Sequence, residues 1–469
     1  MEDKTIQARQ QNPLGARSAP LGRKQFPVKE KIAPLAFFFL CLYTVSVLVR
    51  PHEFSLSTAN YIIIKVFAIL SFGFTLLTFR PLKLYPQHYL LLGLVPFIMV
   101  SAFLNGWGTG GIFQAQRLFV SSIIPFFLYS ALVATPGRQR ILMLICITAA
   151  LVMVYNGHIQ QASFNGKYGI GIGDSITVGR EEMRISYLGF FSDPNDLGMF
   201  LVMNMPFVAY FYGRGGGVVK ILMLAIFVAL GYGVFMTGSR GTLLGTVAVV
   251  SLYFLISNAG ARLVLFVCLS APIAATLLAS FGGLSSSESS AAGRLDAWYD
   301  GIQMLIHNPV FGVGMGNFMD EHGKVAHNSY VHVAGELGVP GYSLWGGALV
   351  LNMLVGYAIL KRFNCYPNEE DPDDLDVSEE KSKEYKEEAS LNKTLFYSMI
   401  GFMVTAFFLS RQFTLLMFIF MGMQTASHLR LMKLRPDLTE MFSSKMVWRC
   451  MGYSWAVIVA VYLTLKVGL

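Results

Sequence analysis

Charge is what this sequence has least of: charged residues make up 14% of its 469 positions against 54% hydrophobic ones, with a mean hydropathy of +0.52. So little polar surface cannot cover a soluble globule, which leaves lipid as the solvent. Cysteine is also sparse. Cys41, Cys146, Cys268, Cys365 and Cys450 lie in apolar segments or beside basic loops with no paired spacing, which argues against a disulfide framework and a zinc site. No internal repeat is visible, and Lys65 is the only basic residue well inside an apolar run. A transporter or flippase should bury charges in several helices and show paired broken helices in two halves.

What is present is a succession of apolar runs long enough to cross a hydrocarbon core, which needs about 20 helical residues. Lipid offers no partner to unpaired backbone groups, so each run reads as a helix. The candidate spans are 32–49, 56–79, 89–104, 118–134, 141–155, 194–212, 218–236, 242–256, 263–281, 342–360, 395–409, 413–431 and 447–465. The expected fold class is therefore all-α, a polytopic membrane protein of 12–13 spans. It divides into a basic tail over 1–31, nine spans over 32–281, a large loop over 282–341, a tenth span over 342–361, a charged loop over 362–393 and the last spans over 394–469. The tail is too long and too basic for a secretory signal, and the first span reads as a retained anchor.

Orientation follows from the basic residues. With the N-terminus cytoplasmic, 25 of the 36 Lys and Arg fall on the cytoplasmic side, as the positive-inside rule requires. The net charge of +8 then reflects orientation beside anionic membrane lipid, and a nucleic-acid partner is not expected. The segment 364–392 is dense in charge, holds Tyr385 as its one aromatic apart from Tyr366, and is expected to be a solvated, partly disordered linker.

Ten basic residues remain on the outer side: Arg50, Arg117, Lys167, Arg180, Arg184, Arg240, Arg294, Lys324, Arg411 and Lys466. Arg240 sits in the turn Thr237-Gly238-Ser239-Arg240-Gly241-Thr242 between two apolar helices, where a partly desolvated guanidinium suits an anion. The same spacing also fits an arginine that snorkels to lipid phosphate or caps a helix end. In the large loop, Arg294 opens an amphipathic stretch whose Leu295, Trp298, Met304 and Leu305 are expected to lie on the membrane. His327 precedes a helical turn carrying Asn328, His332 and Glu336, which Gly338, Pro340 and Gly341 should break before the next span. Gly312, Gly314 and Gly316 have no strand-turn-helix unit around them and read as turn glycines. Asp193, Pro194 and Asp196 make a good helix start, and capping alone explains them.

Three stretches, 192–198, 237–241 and 294–341, together resemble the O-antigen ligase and polymerase superfamily of bacterial membrane glycosyltransferases. The resemblance rests on the Ser239-Arg240-Gly241 turn, the run Asn308-Pro309-Val310-Phe311-Gly312-Val313-Gly314, and His327-Asn328-Ser329-Tyr330 leading into Glu336-Leu337-Gly338. It implies an inner-membrane enzyme that takes a glycan from undecaprenyl pyrophosphate at the periplasmic face. The acceptor is lipid A core sugar, a growing glycan, or in some members a protein hydroxyl. Family ligases commonly have twelve spans, whereas the run 447–465 adds a thirteenth here.

Breaking an anomeric C–O bond builds negative charge on the departing diphosphate, and arginine stays ionised and offers a planar fork to phosphate oxygens. Arg240 and Arg294 are the first expected diphosphate ligands, with Arg184 and Arg411 second. His327 is the expected general base, with Glu336 orienting its ring and His332 and Asn328 in support. Neither a metal nor another cofactor is expected, and direct displacement would invert the anomeric configuration.

Overall fold

The structure, a computed structural model, describes residues 33–55, 57–78, 84–162, 184–255, 285–363 and 378–468. All regular structure among them is helical: α1 Pro34–Leu48, α2 Ile63–Thr78, α3 Pro86–Leu104, α4 Gly110–Leu132, α5 Pro136–Ala162, α6 Pro194–Arg214 and α7 Gly217–Met236 come first. They are followed by α8 Arg240–Leu255, α9 Ser285–His307, α10 Phe318–His322, α11 Ser329–Lys361, α12 Glu379–Ala406, α13 Leu415–Leu434 and α14 Ser444–Gly468. Among the described residues, α3, α4, α5, α7, α11, α13 and α14 are long and apolar enough to cross a membrane, and α1, α2 and most of α8 are shorter apolar helices. The chain is a multi-pass membrane protein. Twelve of the thirteen expected spans fall on helices; the run 263–281 lies outside the described residues.

Proline sets several helix starts. Pro34, Pro86 and Pro194 occupy the first helical position, where a missing N–H costs nothing and the fixed φ suits the helix. Around α6 the bundle closes: nearly every residue from Pro194 to Val208 is buried, with α7, α8 and α12 packed against it. Phe207 stacks on Phe420 of α13 with ring centroids 5.2 Å apart.

Three expectations need correction. Helix α2 begins at Ile63 and not at 56, so Lys65 is an exposed first-turn residue and not a charge inside a span. Helix α9 does not lie on the membrane with its apolar face. Trp298, Ile302, Met304 and Leu305 are buried within the protein, where α9 packs on α11 and Trp298 meets Phe407 edge-on at 5.1 Å.

The charged segment is the third correction, because from Ser378 onward it is the first half of α12. Ser378 caps the helix, and Tyr385 is fully buried with its hydroxyl donating to the Phe363 carbonyl. Glu388 is buried against Arg430 of α13, whose Nε donates to Glu388 Oε1 at 2.5 Å. Beside them Arg140 Nη1 donates to Glu387 Oε1 at 2.7 Å. A polar sequence thus becomes ordered because its one retained aromatic and one of its acids find buried partners. The residues 364–377 lie outside the described residues.

Candidate active site

Four segments meet at the end of the bundle where α6, α8 and α11 begin. The first is the turn between α7 and α8. Gly238 adopts φ +59°, the left-handed region that glycine enters without steric cost. Its bare backbone lets the Arg184 side chain lie against the turn, with Arg184 Cγ and Nε 3.3 Å from where a Cβ would stand. Arg184 Nε donates to the Thr237 carbonyl at 2.7 Å. Helix α8 starts at Arg240, so an exposed guanidinium and the positive end of a helix dipole coincide.

The second segment opens α6. Asp193 is its N-cap, as expected: Asp193 Oδ1 accepts from the Asn195 backbone N–H and from Asn195 Nδ2, both at 2.9 Å. Asn195 Oδ1 in turn accepts from Arg184 Nη2 at 3.1 Å. The charges on either side fix this amide's orientation, oxygen toward the cation and NH2 toward the carboxylate. One residue further on, buried Asp196 accepts from Arg411 Nε at 2.5 Å, while Arg411 Nη2 stands 3.6 Å from Asp193 Oδ2. The Arg411 backbone N–H donates to Ser329 Oγ at 2.9 Å, joining the α12–α13 connection to the head of α11.

Arg294 comes from α9. Burial first, then the like charges of Arg240 and Arg184, push its pKa below the usual arginine value. Arginine stays ionised regardless. The smaller, like-charge part of the shift comes from Arg240 and Arg184, and an anion among the three guanidiniums would relieve that repulsion.

The fourth segment holds His327. Its φ of +49° makes it, with Arg50, one of two non-glycine residues in the left-handed region among the described residues. Neighbours on both sides enforce that conformation. Trp298 Nε1 donates to the Ala326 carbonyl at 2.9 Å, and Asn328 caps α11 by accepting from the N–H of Tyr330 and Val331 at 3.0 and 3.1 Å. The His327 imidazole is exposed. Its pKa is pushed below 6.5 by partial burial first and then by Arg294, with Arg411 and His332 acting the same way and Asp193 opposing. The shift favours the neutral imidazole, the form that can accept a proton.

Glu336 does not orient the His327 ring. Its Oε1 lies 3.0 Å from His332 Nε2 and accepts from the N–H of Gly316 at 2.8 Å and of Phe318 at 3.3 Å. His332 stacks on Phe318 at 4.8 Å, and its Nδ1 is 3.0 Å from Ser410 Oγ. These two buried residues tie the glycine run to α11. That helix breaks at Gly338, φ +61° and ψ −165°, and the run threads the break: Val313 N–H bonds the Gly335 carbonyl at 3.0 Å, Gly314 N–H the Glu336 carbonyl at 2.9 Å, and Val339 N–H the Pro309 carbonyl at 2.7 Å. A Cβ on Gly312 would meet the Glu336 carbonyl at 2.3 Å. The glycines are backbone turns, as their spacing implies, with φ of +62°, +97° and +90°.

The segment that assembles most of this site has relatives. Residues 225–346 match the O-antigen ligase family. The matched O-antigen ligase segment covers 122 of 469 residues and contains Arg240, Arg294, His327, Asn328, His332 and Glu336. Over this segment the resemblance drawn from the motifs is borne out, and it ties the chain to glycan transfer in surface polysaccharide synthesis. No curated protein matches the chain. Arg184, Asp193, Asn195, Asp196 and Arg411 lie outside the O-antigen ligase segment and reach the site from the stretch that precedes α6, the start of α6 and the α12–α13 connection. In the sequence Asp193 and Asp196 are explained by capping alone, and nothing marks Asn195. The available signal was their place in 192–198, one of the three stretches that carried the resemblance.

Proposed function

We propose that this protein transfers a glycan from undecaprenyl pyrophosphate to an acceptor hydroxyl at the periplasmic face of the bacterial inner membrane. The acceptor is lipid A core or a growing surface glycan. The positive-inside bias supports a cytoplasmic N-terminus and an outward-facing site. Arg240, Arg294 and Arg184 hold the diphosphate, neutralising the charge that builds as the anomeric C–O bond breaks. Arg411, whose charge is met by Asp196 and Asp193, contributes less to the donor. The acceptor oxygen attacks the anomeric carbon from the opposite face, its proton passes to His327, and the configuration inverts. His332 and Glu336 hold the loop and the head of α11 that present the base, and Asn328 caps that helix. The reaction needs no metal in this account, so excess chelator leaves turnover intact.

The observation that carries this reading is the gathering of Arg240, Arg294 and Arg184 near His327, with Arg240, Arg294 and His327 inside the segment that matches the O-antigen ligase family. Gene deletion followed by analysis of surface glycans tests it. Loss of long chains from lipid A with lipid-linked polymer retained identifies a ligase, and single-repeat products identify a polymerase. Unchanged glycans overturn the proposal.

A further inference from the structure

The charges of the site are linked in a chain. Arg184, which acts on Arg294 together with Arg240, reaches Asp193 through Asn195, while Arg411 is paired with Asp196, stands near Asp193 and donates its backbone N–H to Ser329, two residues after His327. The Asn195 amide accepts from Arg184 and donates to Asp193. A carboxylate next to a departing diphosphate would oppose the reaction. Asp193, separated from Arg184 by the Asn195 amide and joined through Arg411 to the head of α11 that follows His327, is better suited to the uncharged reactant.

Asp193 has the means to bind it. Its Oδ1 is saturated by two donors from Asn195, whereas Oδ2 has Arg411 Nη2 at 3.6 Å, beyond hydrogen-bond length. The side chain is 34% exposed, enough for a ligand to reach Oδ2. Among the charged groups acting on His327, Arg294, Arg411 and His332 disfavour its protonated form and Asp193 alone favours it. A carboxylate oxygen is a strong acceptor for hydroxyl donors, and a sugar presents several of these to an enzyme.

We propose that Asp193 binds a hydroxyl of the acceptor sugar through Oδ2 and so places the attacking oxygen beside His327. The inference rests on the glycan-transfer reading above. The attacking proton still goes to His327; Asp193 remains a carboxylate throughout and makes no covalent bond.

Asp193→Asn tests this, because asparagine caps a helix as well as aspartate does and so preserves the start of α6. Purified protein is assayed with undecaprenyl-diphosphate oligosaccharide as donor and, as acceptor, either lipid A core lacking O-antigen or a second lipid-linked repeat, whichever the wild type uses. Losing one charge-assisted hydrogen bond raises the acceptor KM about tenfold. Donor KM stays within about twofold, and the acid limb of the pH profile moves to lower pH because the charge favouring protonated His327 is gone. An unchanged acceptor KM, or a donor KM that rises in parallel, overturns the assignment. Asp193→Ser, another good cap, gives the same reading if the first variant proves unstable. A wild-type protein that never consumes donor refutes the glycan-transfer proposal itself, whereas an active wild type with an indifferent Asp193→Asn refutes only this inference.

Discussion

Replacing Asn195 by aspartate changes one atom's identity and reverses the electrostatics of the donor side. The amide oxygen now sits 3.1 Å from Arg184 Nη2, and its NH2 sits 2.9 Å from Asp193 Oδ1. In Asn195→Asp the first contact becomes an ion pair and the second becomes carboxylate against carboxylate. A unit charge pair at about 3 Å is worth roughly 5 kcal/mol at an effective dielectric constant of 20. Both side chains are only half-buried, so solvent screening reduces the net effect to about 1–3 kcal/mol. Arg184 then offers the diphosphate far less charge, and donor affinity falls about ten- to a hundredfold. The assay is equilibrium binding of undecaprenyl diphosphate to purified protein in nanodiscs, with Asn195→Ala as the control for loss of the bridge alone. Aspartate should be worse than alanine. Equal affinities for wild type and Asn195→Asp would refute the linkage of charge on which this reasoning stands.

Three further outcomes follow from the same geometry. His327→Gly removes left-handed strain of about 1–2 kcal/mol against about 0.5–1 kcal/mol of added chain entropy, so the protein melts no lower than wild type in detergent yet transfers nothing; a marked drop in melting temperature contradicts the strain. The neutral imidazole is the active form and its pKa lies below 6.5, so kcat/KM rises with pH through an acid limb below 6.5 and is flat above it, and a limb above 7 contradicts the assignment. Glu388→Ala strands a buried Arg430 and costs about 3–5 kcal/mol, while Glu388→Leu with Arg430→Met recovers most of it, both read as thermal unfolding in detergent.

The apolar runs announced nearly every helix because a hydrocarbon core demands length and hydrophobicity, and both are written in composition. Pro194 and the glycines of the 312–316 run were equally legible, since each does locally what its backbone permits. Tyr385 and Glu388 were misread because their partners, Phe363 and Arg430, come from other elements and nothing in 364–392 announces them. Trp298 illustrates the same limit: an amphipathic face shows that something apolar covers it, and here the cover is α11 and Phe407, not lipid. The arginines stand out because orientation leaves their charge unexplained, and His327 because it opens the His327-Asn328-Ser329-Tyr330 stretch that carries the resemblance. Asp193 and Asn195 are not legible as more than a helix start because capping is a sufficient local reason, and only their distances to Arg184 and Arg411 show what else they touch. Glu336 was singled out, but its partner proved to be His332.

The most direct test of the central claim is a reconstituted transfer reaction. Wild type, Arg240→Ala and His327→Ala are each purified, shown to be inserted at equal levels, and given undecaprenyl-diphosphate oligosaccharide with either lipid A core or a lipid-linked repeat. The account predicts that wild type releases undecaprenyl diphosphate in step with glycosylated acceptor, with or without chelator, and that neither variant does. Normal turnover by His327→Ala or Arg240→Ala, or no donor consumption by wild type with either acceptor, would contradict it.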